Sequence, residues 1–434
     1  MKKKVAFKTL GCRLNQFETD SLVTDFHKAG YEIVDFSKKA DVYVVNTCTV
    51  TNQSDRKSKY TINQAVKTGR DDSVTIVTGC MVSSQKEYFE NRKDITYVID
   101  NKRKSSVVPL VDAHFKGEVL HPADLKQDLF NFSVVEKGFH TRSAIKIQDG
   151  CDNFCTFCIV PKVRGRATSR PVKDIIENVS RSLDLGNKEI VLTGVNISRY
   201  EFDNTRFEDL VEQIIDLPGD FRVRISSIEP EGFTDKFISL FKHPKLCPHL
   251  HLCIQSGSDK VLMRMRRFYT IDQYMAIINQ FRKTYPDFNF TTDVIVGFPG
   301  ETMEEFQETC NIVREVGFSH IHTFKYSRRT GTRADRMEEQ LSEKLKNERS
   351  EVIRSIADEM KLHYRKQFLG REQRLLVERN NSKGGARGYG EHYIPLVIMG
   401  RNLEKNSFHH VKLTGILEDA ERTMVAELLE KKAV

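Results

Sequence analysis

The sequence predicts an α/β protein in three parts: an N-terminal parallel α/β sheet domain, a partial (β/α)6 barrel and a small C-terminal β-barrel. Over residues 5–101, and again over 143–324, short strand-like runs alternate with longer helix-compatible stretches. That is the pattern of parallel strands joined by crossover helices. After residue 371 short runs follow one another between glycines and polar residues, as in a small barrel. A length of 434 residues exceeds what one hydrophobic core accommodates.

The first part, expected over residues 1–125, carries VAFKTL, DVYVVN, VTIVT and ITYVID, with room for crossover helices between the first three. Residues 102–137 read as a polar, irregular linker with Pro109 and Pro122. The second part, expected over 138–365, carries SAIKIQ, EIVLT, RVRIS, LHLCI, TDVIV and HIHTF. Six such units predict an open barrel rather than the eightfold one. Residues 337–362 place apolar side chains at 341, 345, 352, 353, 356 and 360 among charges, an amphipathic helix for packing or linking. The last part, expected over 366–432, has RLLVER, YIPLVI, HHVKLTGIL and TMVAELL, with NSKGGARGYG as a turn cluster.

Composition excludes several classes. With 39% hydrophobic and 29% charged residues the chain is globular rather than disordered. No apolar run approaches the ~18 residues of a membrane span, and Lys8 breaks the first apolar run, so MKKKVAFKTLGC reads as a strand rather than a signal peptide. A cytoplasmic setting is expected, in which the nine cysteines stay reduced and serve as reactive thiols or metal ligands. The net charge is +8, and between residues 365 and 412 ten Lys/Arg face four Glu, an excess of +6. A solvated basic face and a polyanion footprint are the two readings of that excess.

The chemistry is carried by GCDNFCTFCIVP, residues 150–161, with Cys151, Cys155 and Cys158 in a C-x3-C-x2-C spacing directly after the first barrel strand. Loops after barrel strands build active sites. Three thiolates on a four-iron cluster leave one iron open, and an open position is what catalysis needs. The alternative is part of a zinc site completed by a distant histidine. CPHLHLC, residues 247–253, does not supply a common site, because as a strand it spans ~20 Å. Cys247, Cys253 and Cys310 are expected to be core thiols.

A second triad recurs at strand ends: TLGC at Cys12, VNTC at Cys48 and VTGC at Cys80. Parallel strands point the same way, so their C-terminal ends line one edge and these cysteines converge there. Three unrelated buried cysteines are the plainer reading.

The C-x3-C-x2-C motif with Phe157 before its last cysteine resembles that of radical S-adenosylmethionine enzymes. Two triads followed by a small basic barrel resemble the methylthiotransferases of that superfamily over nearly the whole chain. The resemblance implies two 4Fe-4S clusters, one on Cys12, Cys48 and Cys80 and one on Cys151, Cys155 and Cys158, and a TRAM-like RNA-binding β-barrel. It implies that the second cluster binds S-adenosyl-L-methionine at its open iron and cleaves it to a 5′-deoxyadenosyl radical. Within the family, FKTLGCRLNQFET, CDNFCTFCIVPKVRGRATSRP and YSRRTGTRA resemble the branch acting on threonylcarbamoyladenosine in tRNA. Sibling branches act on isopentenyladenosine in tRNA or on an aspartate of a ribosomal protein.

By that resemblance Phe157, Thr193, Gly194, Asn196, Ser226, Glu229, Gln255 and Gly297 are candidate cofactor-binding residues, with the backbone from Ile295 to Gly297 beside the adenine. Glycines after strands are otherwise simply turns. Arg164, Arg166 and Arg170 are expected either to meet RNA phosphates or to be surface arginines with solvent or carboxylate partners. Phe368, Tyr389, Tyr393 and Phe408 are candidates for base stacking or for the barrel core. The expected activity is conversion of threonylcarbamoyladenosine next to the anticodon to its 2-methylthio form. Its partners are the tRNA anticodon stem-loop, an electron donor such as a flavodoxin or ferredoxin, and a sulfur source. The rival from another class is a non-enzymatic zinc-stabilised RNA-binding protein, which would be colourless rather than brown with about four irons per triad.

Overall fold

The computed structural model of the chain describes residues 2–70, 72–136, 142–381 and 384–429. Strands β1 (Lys4–Thr9), β2 (Glu32–Val34), β3 (Val42–Thr47), β4 (Val74–Gly79) and β5 (Tyr97–Ile99) form a parallel sheet in the order β2-β1-β3-β4-β5. Every residue of β3 and β4 is buried, as expected of a parallel sheet covered on both faces. Helix α1 (Arg13–Lys28) lays Leu22, Val23 and Phe26 on one face, and α2 (Asn52–Thr68) lays Ile62 and Ala65 on the other. The edge strand β2 is an addition to the predicted set. Three residues with partial exposure leave no alternation long enough to read.

The linker expected over 102–137 needs correction. Val107–Lys116 is a helix whose Val107, Leu110 and Val111 join the same core as α1, an i, i+3, i+4 stripe hidden by the polar residues around it. Pro109 sits in its first turn, where a missing N–H costs nothing. Lys137 and the start of the expected barrel part at 138 lie outside the described residues.

Six parallel strands follow side by side in chain order: Ser143–Lys146, Glu189–Thr193, Arg222–Ile225, His249–Leu252, Asn289–Val296 and His320–Lys325. The third is interrupted at Ser226 and resumes as Ser227–Ile228, which pairs with the fourth and joins the two halves. The first and last strands do not pair with each other, so the barrel is open. The predicted amphipathic helix runs Glu343–Lys366, capped by Ser342, whose Oγ accepts from the Leu345 N–H. Its Ile353, Ile356 and Ala357 pack into the barrel core, while Val352 faces solvent. At its far end Tyr364, with Phe368 just beyond, enters the core of the C-terminal barrel, so one helix serves two cores.

That barrel closes through Glu372–Asn380, Gly385–Tyr389, Pro395–Met399, Met424–Leu428 and Phe408–Ile416. Gly388 is required where strands cross closely, since an added Cβ would lie 1.7 Å from the Leu376 carbonyl oxygen. Ser382 and Lys383 of the expected turn cluster lie outside the described residues.

Candidate active site

The chain leaves the first barrel strand through Gln148–Asp149 and turns at Gly150, whose φ of +71° and contact with the Arg166 carbonyl admit no side chain. The Cys151 N–H donates to the Gly165 carbonyl (3.1 Å) and closes the loop. The Asn153 N–H donates to Cys151 Sγ (3.5 Å), and Arg267 Nη1 donates to Cys155 Sγ (3.3 Å). Burial, with Cys155 nearby, pushes the Cys151 thiol up and the Cys158 thiol to about 12. A cationic group in the space these sulfurs share would hold Cys151 and Cys158 as thiolates.

The ends of β1, β3 and β4 bring the other triad together. Cys12 is the N-cap of α1 and makes no capping bond, which leaves the positive end of that helix beside its sulfur. A Cβ on Gly11 would lie 2.7 Å from Cys48 Cβ, so the backbone before Cys12 rests on Cys48. Burial, then Cys80 and Cys12, push Cys48 up to about 11. Burial likewise raises Cys80, against the pull of Arg164. Cys80 packs with Ile159 and Val163, so a few apolar side chains separate the two triads.

Neither triad suits a single zinc ion. A tetrahedral zinc with bonds of ~2.3 Å would draw its sulfurs to about 3.8 Å apart. Among the described residues, only His251, Asp293 and His322 gather three ligand atoms within 4.8 Å of one another. Triads of cysteines alone, set wider than that, suit a polynuclear iron-sulfur group.

A cavity of ≈ 610 Å³ opens between all three parts, lined by Cys12 and Arg13, by Thr193, Gly194 and Ser226, and by Tyr389 and Tyr393. A smaller pocket of ≈ 190 Å³ is lined by Cys158, Phe157, Gln255 and Ile295 together with Val50 and Thr51. Five of the eight predicted cofactor residues, Thr193, Gly194, Ser226, Phe157 and Gln255, thus divide between two adjoining spaces. Gln255 holds φ +63°, a strained conformation for a residue other than glycine. Asn196 faces Cys151 and lowers its pKa, and its buried Nδ2 has no partner that meets hydrogen-bond geometry. Glu229 is ion-paired to Arg267, the same arginine that donates to Cys155. Gly297 lines neither space: its N–H donates to Glu301 Oε2 (2.7 Å), and an added Cβ would lie 2.4 Å from Lys346 Cγ.

The arginine expectation changes. Arg164 is buried, donating to Glu18 Oε1 (3.0 Å), Asp149 Oδ2 (2.9 Å) and Asn15 Oδ1 (2.6 Å). Arg170 is also buried, with Nη1 on the Lys146 carbonyl (3.4 Å). Only Arg166 is exposed, and it pairs with Asp152 (2.8 Å). Of the aromatics, Phe368 is core. Tyr389 and Tyr393 stack on each other at 4.7 Å on the cavity wall. Phe408 lies under Arg374 at 3.7 Å.

Sequence reasoning missed two features. Lys104, Lys146 and Arg164 surround Glu18 and Asp149 in a fully buried network, three cations to two carboxylates, and Arg164 and Lys104 both pull on Cys80. The excess positive charge beside a thiolate triad offsets its negative charge. The second is a histidine lining. His251 meets Asp293 (3.1 Å) and Thr291 (2.9 Å), and burial pushes His322 down and His320 to about 3, so those two are neutral. The alternation in HLHL and HIHTF signals that face, but only the fold puts the two strands within reach of one another.

The sequence pattern of the Radical SAM superfamily matches residues 145–313, and that of the protein family UPF0004 matches residues 4–100. Over 436 residues the chain is 37% identical to the threonylcarbamoyladenosine tRNA methylthiotransferase of Thermotoga maritima, with 99% of each chain covered. It is 32% identical over 403 residues to the tRNA-2-methylthio-N(6)-dimethylallyladenosine synthase of Methylacidiphilum infernorum, covering 89% of this chain and 86% of that one. Among solved structures, a radical S-adenosylmethionine methyltransferase from Kitasatospora setae with cobalamin and a 4Fe-4S cluster bound superposes with a TM-score of 0.54 at 14% identity. That match covers 75% of each chain and shows a shared fold.

Proposed function

The chain belongs to the radical S-adenosylmethionine methylthiotransferases, and from that premise we propose that it methylthiolates C2 of N6-threonylcarbamoyladenosine next to the anticodon of tRNA. The observation that carries this reading is the meeting of two cysteine triads across Ile159 and Val163, with Cys12 opening into a cavity that all three parts of the chain enclose. Higher identity to the threonylcarbamoyl enzyme than to the dimethylallyl one supports the branch.

In this reading Cys151, Cys155 and Cys158 hold one 4Fe-4S cluster, and Cys12, Cys48 and Cys80 hold the other. When bound, the first cluster with S-adenosyl-L-methionine would supply a radical that removes hydrogen from an unactivated carbon, and the second would hold the sulfur, whose methyl group would come from another molecule of S-adenosyl-L-methionine. The chain's own residues prepare the space. Asn196 offers an unused amide beside Cys151, and Thr193, Gly194 and Ser226 offer polar atoms from the barrel rim. Arg267 ties Glu229 to Cys155 and fixes the cluster loop against the barrel. Ile159 and Val163 keep water from the gap between triads. His320 and His322 line the cavity as neutral groups, so they polarise without adding a second cation. Cys12 is exposed, which gives a sulfur source access. A flavodoxin-like or ferredoxin-like electron donor completes the set. A tRNA substrate supports a cytoplasmic setting. No helix of the described residues is long and apolar enough to cross a membrane.

Nucleoside mass spectrometry of tRNA from a deletion strain tests the substrate. Loss of 2-methylthio-threonylcarbamoyladenosine with accumulation of its unthiolated precursor is expected. Loss of the isopentenyl product instead would move the chain to the sibling branch.

The C-terminal barrel supplies the polyanion footprint. Arg379, Arg401, Lys405 and Lys412 are exposed on it. Replacing them with glutamine is expected to weaken tRNA binding and flatten its salt dependence, by ~0.7–0.9 log units of slope for each phosphate no longer neutralised. Fluorescence anisotropy across a salt series reads this directly. An unchanged slope would leave the barrel a structural cap.

A further inference from the structure

Arg365 is the penultimate residue of helix Glu343–Lys366 and lines the ≈ 610 Å³ cavity that also holds Cys12. It is 3% exposed, and its Nε and Nη1 are buried without a hydrogen-bond partner. Most other buried arginines are paired with a carboxylate: Arg164 has Glu18 and Asp149, Arg222 and Arg224 share Glu189, Arg349 has Glu301, and Arg329 has Asp55. The partial negative charge at a helix C-terminus accounts for a cation at this position, but it leaves those N–H groups unsatisfied. Burial pushes Arg365 down to about 10, against the fields of Tyr364, Glu421 and Tyr389. Glu421 is exposed at the cavity rim. A buried, unpaired guanidinium is costly, and a ligand that brings its own anion removes the cost. The stacked rings of Tyr389 and Tyr393 stand on the same wall.

We propose that Arg365 forms a carboxylate subsite that receives the threonyl carboxylate of the modified adenosine. This assignment rests on the substrate reading above and deepens it. The isopentenyl group of the sibling substrate has no anion, so a planar guanidinium with free donors separates the two by chemistry rather than by size. The subsite recognises a carboxylate on a flexible arm while the base lies toward Cys12.

The test uses the full-chain holoenzyme and three anticodon stem-loop RNAs, carrying threonylcarbamoyladenosine, its threoninamide counterpart, and isopentenyladenosine. Wild type is expected to lose roughly 10- to 100-fold in kcat/KM on exchange of carboxylate for carboxamide. Arg365→Gln is expected to show that loss already on the carboxylate and to be indifferent to the exchange, while Arg365→Lys restores part of the discrimination. Wild type that turns over both threonyl RNAs equally overturns the subsite, and this arm needs no variant to fold. Arg365→Gln with full discrimination overturns it as well. Preference of wild type for the isopentenyl RNA overturns the substrate reading itself, a result distinct from either.

Discussion

Alanine at Cys151, Cys155 and Cys158 is expected to reduce 5′-deoxyadenosine formation to background, a loss of more than about 100-fold, since even outer partners of metal ligands are worth 10- to 100-fold. Alanine at Cys12 is expected to leave that product and remove the methylthiolated nucleoside. The two outcomes differ because the triads belong to parts with separate cores. Cys12 is the best member of its triad to replace. It is exposed, whereas Cys48 and Cys80 are buried, so its loss disturbs packing least. Both products are assayed anaerobically on the same preparations, with iron content and circular dichroism alongside. A folded Cys12→Ala protein that still transfers sulfur would sink the two-cluster mechanism.

Replacing Glu18 with glutamine is expected to destabilise the protein by about 3–5 kcal/mol, because Lys104, Lys146 and Arg164 would face Asp149 alone in a dry interior. Burial disfavours the Glu18 carboxylate, but Arg164, Lys104 and Lys146 overcome that and hold its pKa well below the ordinary range. A depressed carboxyl contributes stability that is present above its unfolded pKa, about 4.3, and is lost as pH falls through its folded value. Urea unfolding at pH 7 should therefore separate the two proteins, and the gap should narrow as the pH falls below 4. A gap that stayed constant with pH would mean the loss is one of packing rather than of charge.

Placements that follow from chain-local periodicity were legible in the sequence. Cys12, Cys48 and Cys80 each end a strand of a parallel sheet, and parallel pairing alone brings such ends together. The three-cysteine loop at 151–158 declares itself by spacing. What was not legible depends on partners far away in sequence. Arg164 looks like Arg166 in the string RGR, yet one is locked on Glu18, 146 residues earlier, and the other faces solvent. The histidines of two strands become one lining only through the pairing of Asn289–Val296 with its neighbours. The helix Val107–Lys116 was hidden by polarity and by a proline whose position in the first turn makes it harmless.

The wall of Ile159 and Val163 against Cys80 has a consequence for how the protein is made. The ribosome delivers the last cysteine of the N-terminal triad at Cys80, but the side chains that cover it emerge only after residue 159. At 5–20 residues per second that interval lasts roughly 4–16 s. Throughout it the thiol stands open to oxidants, and the Arg164 counter-charge is not yet present. Order of synthesis and order of completion are thus opposed. The N-terminal triad is covered only when the first loop of the barrel docks, so iron delivered before that moment would reach an unsealed site.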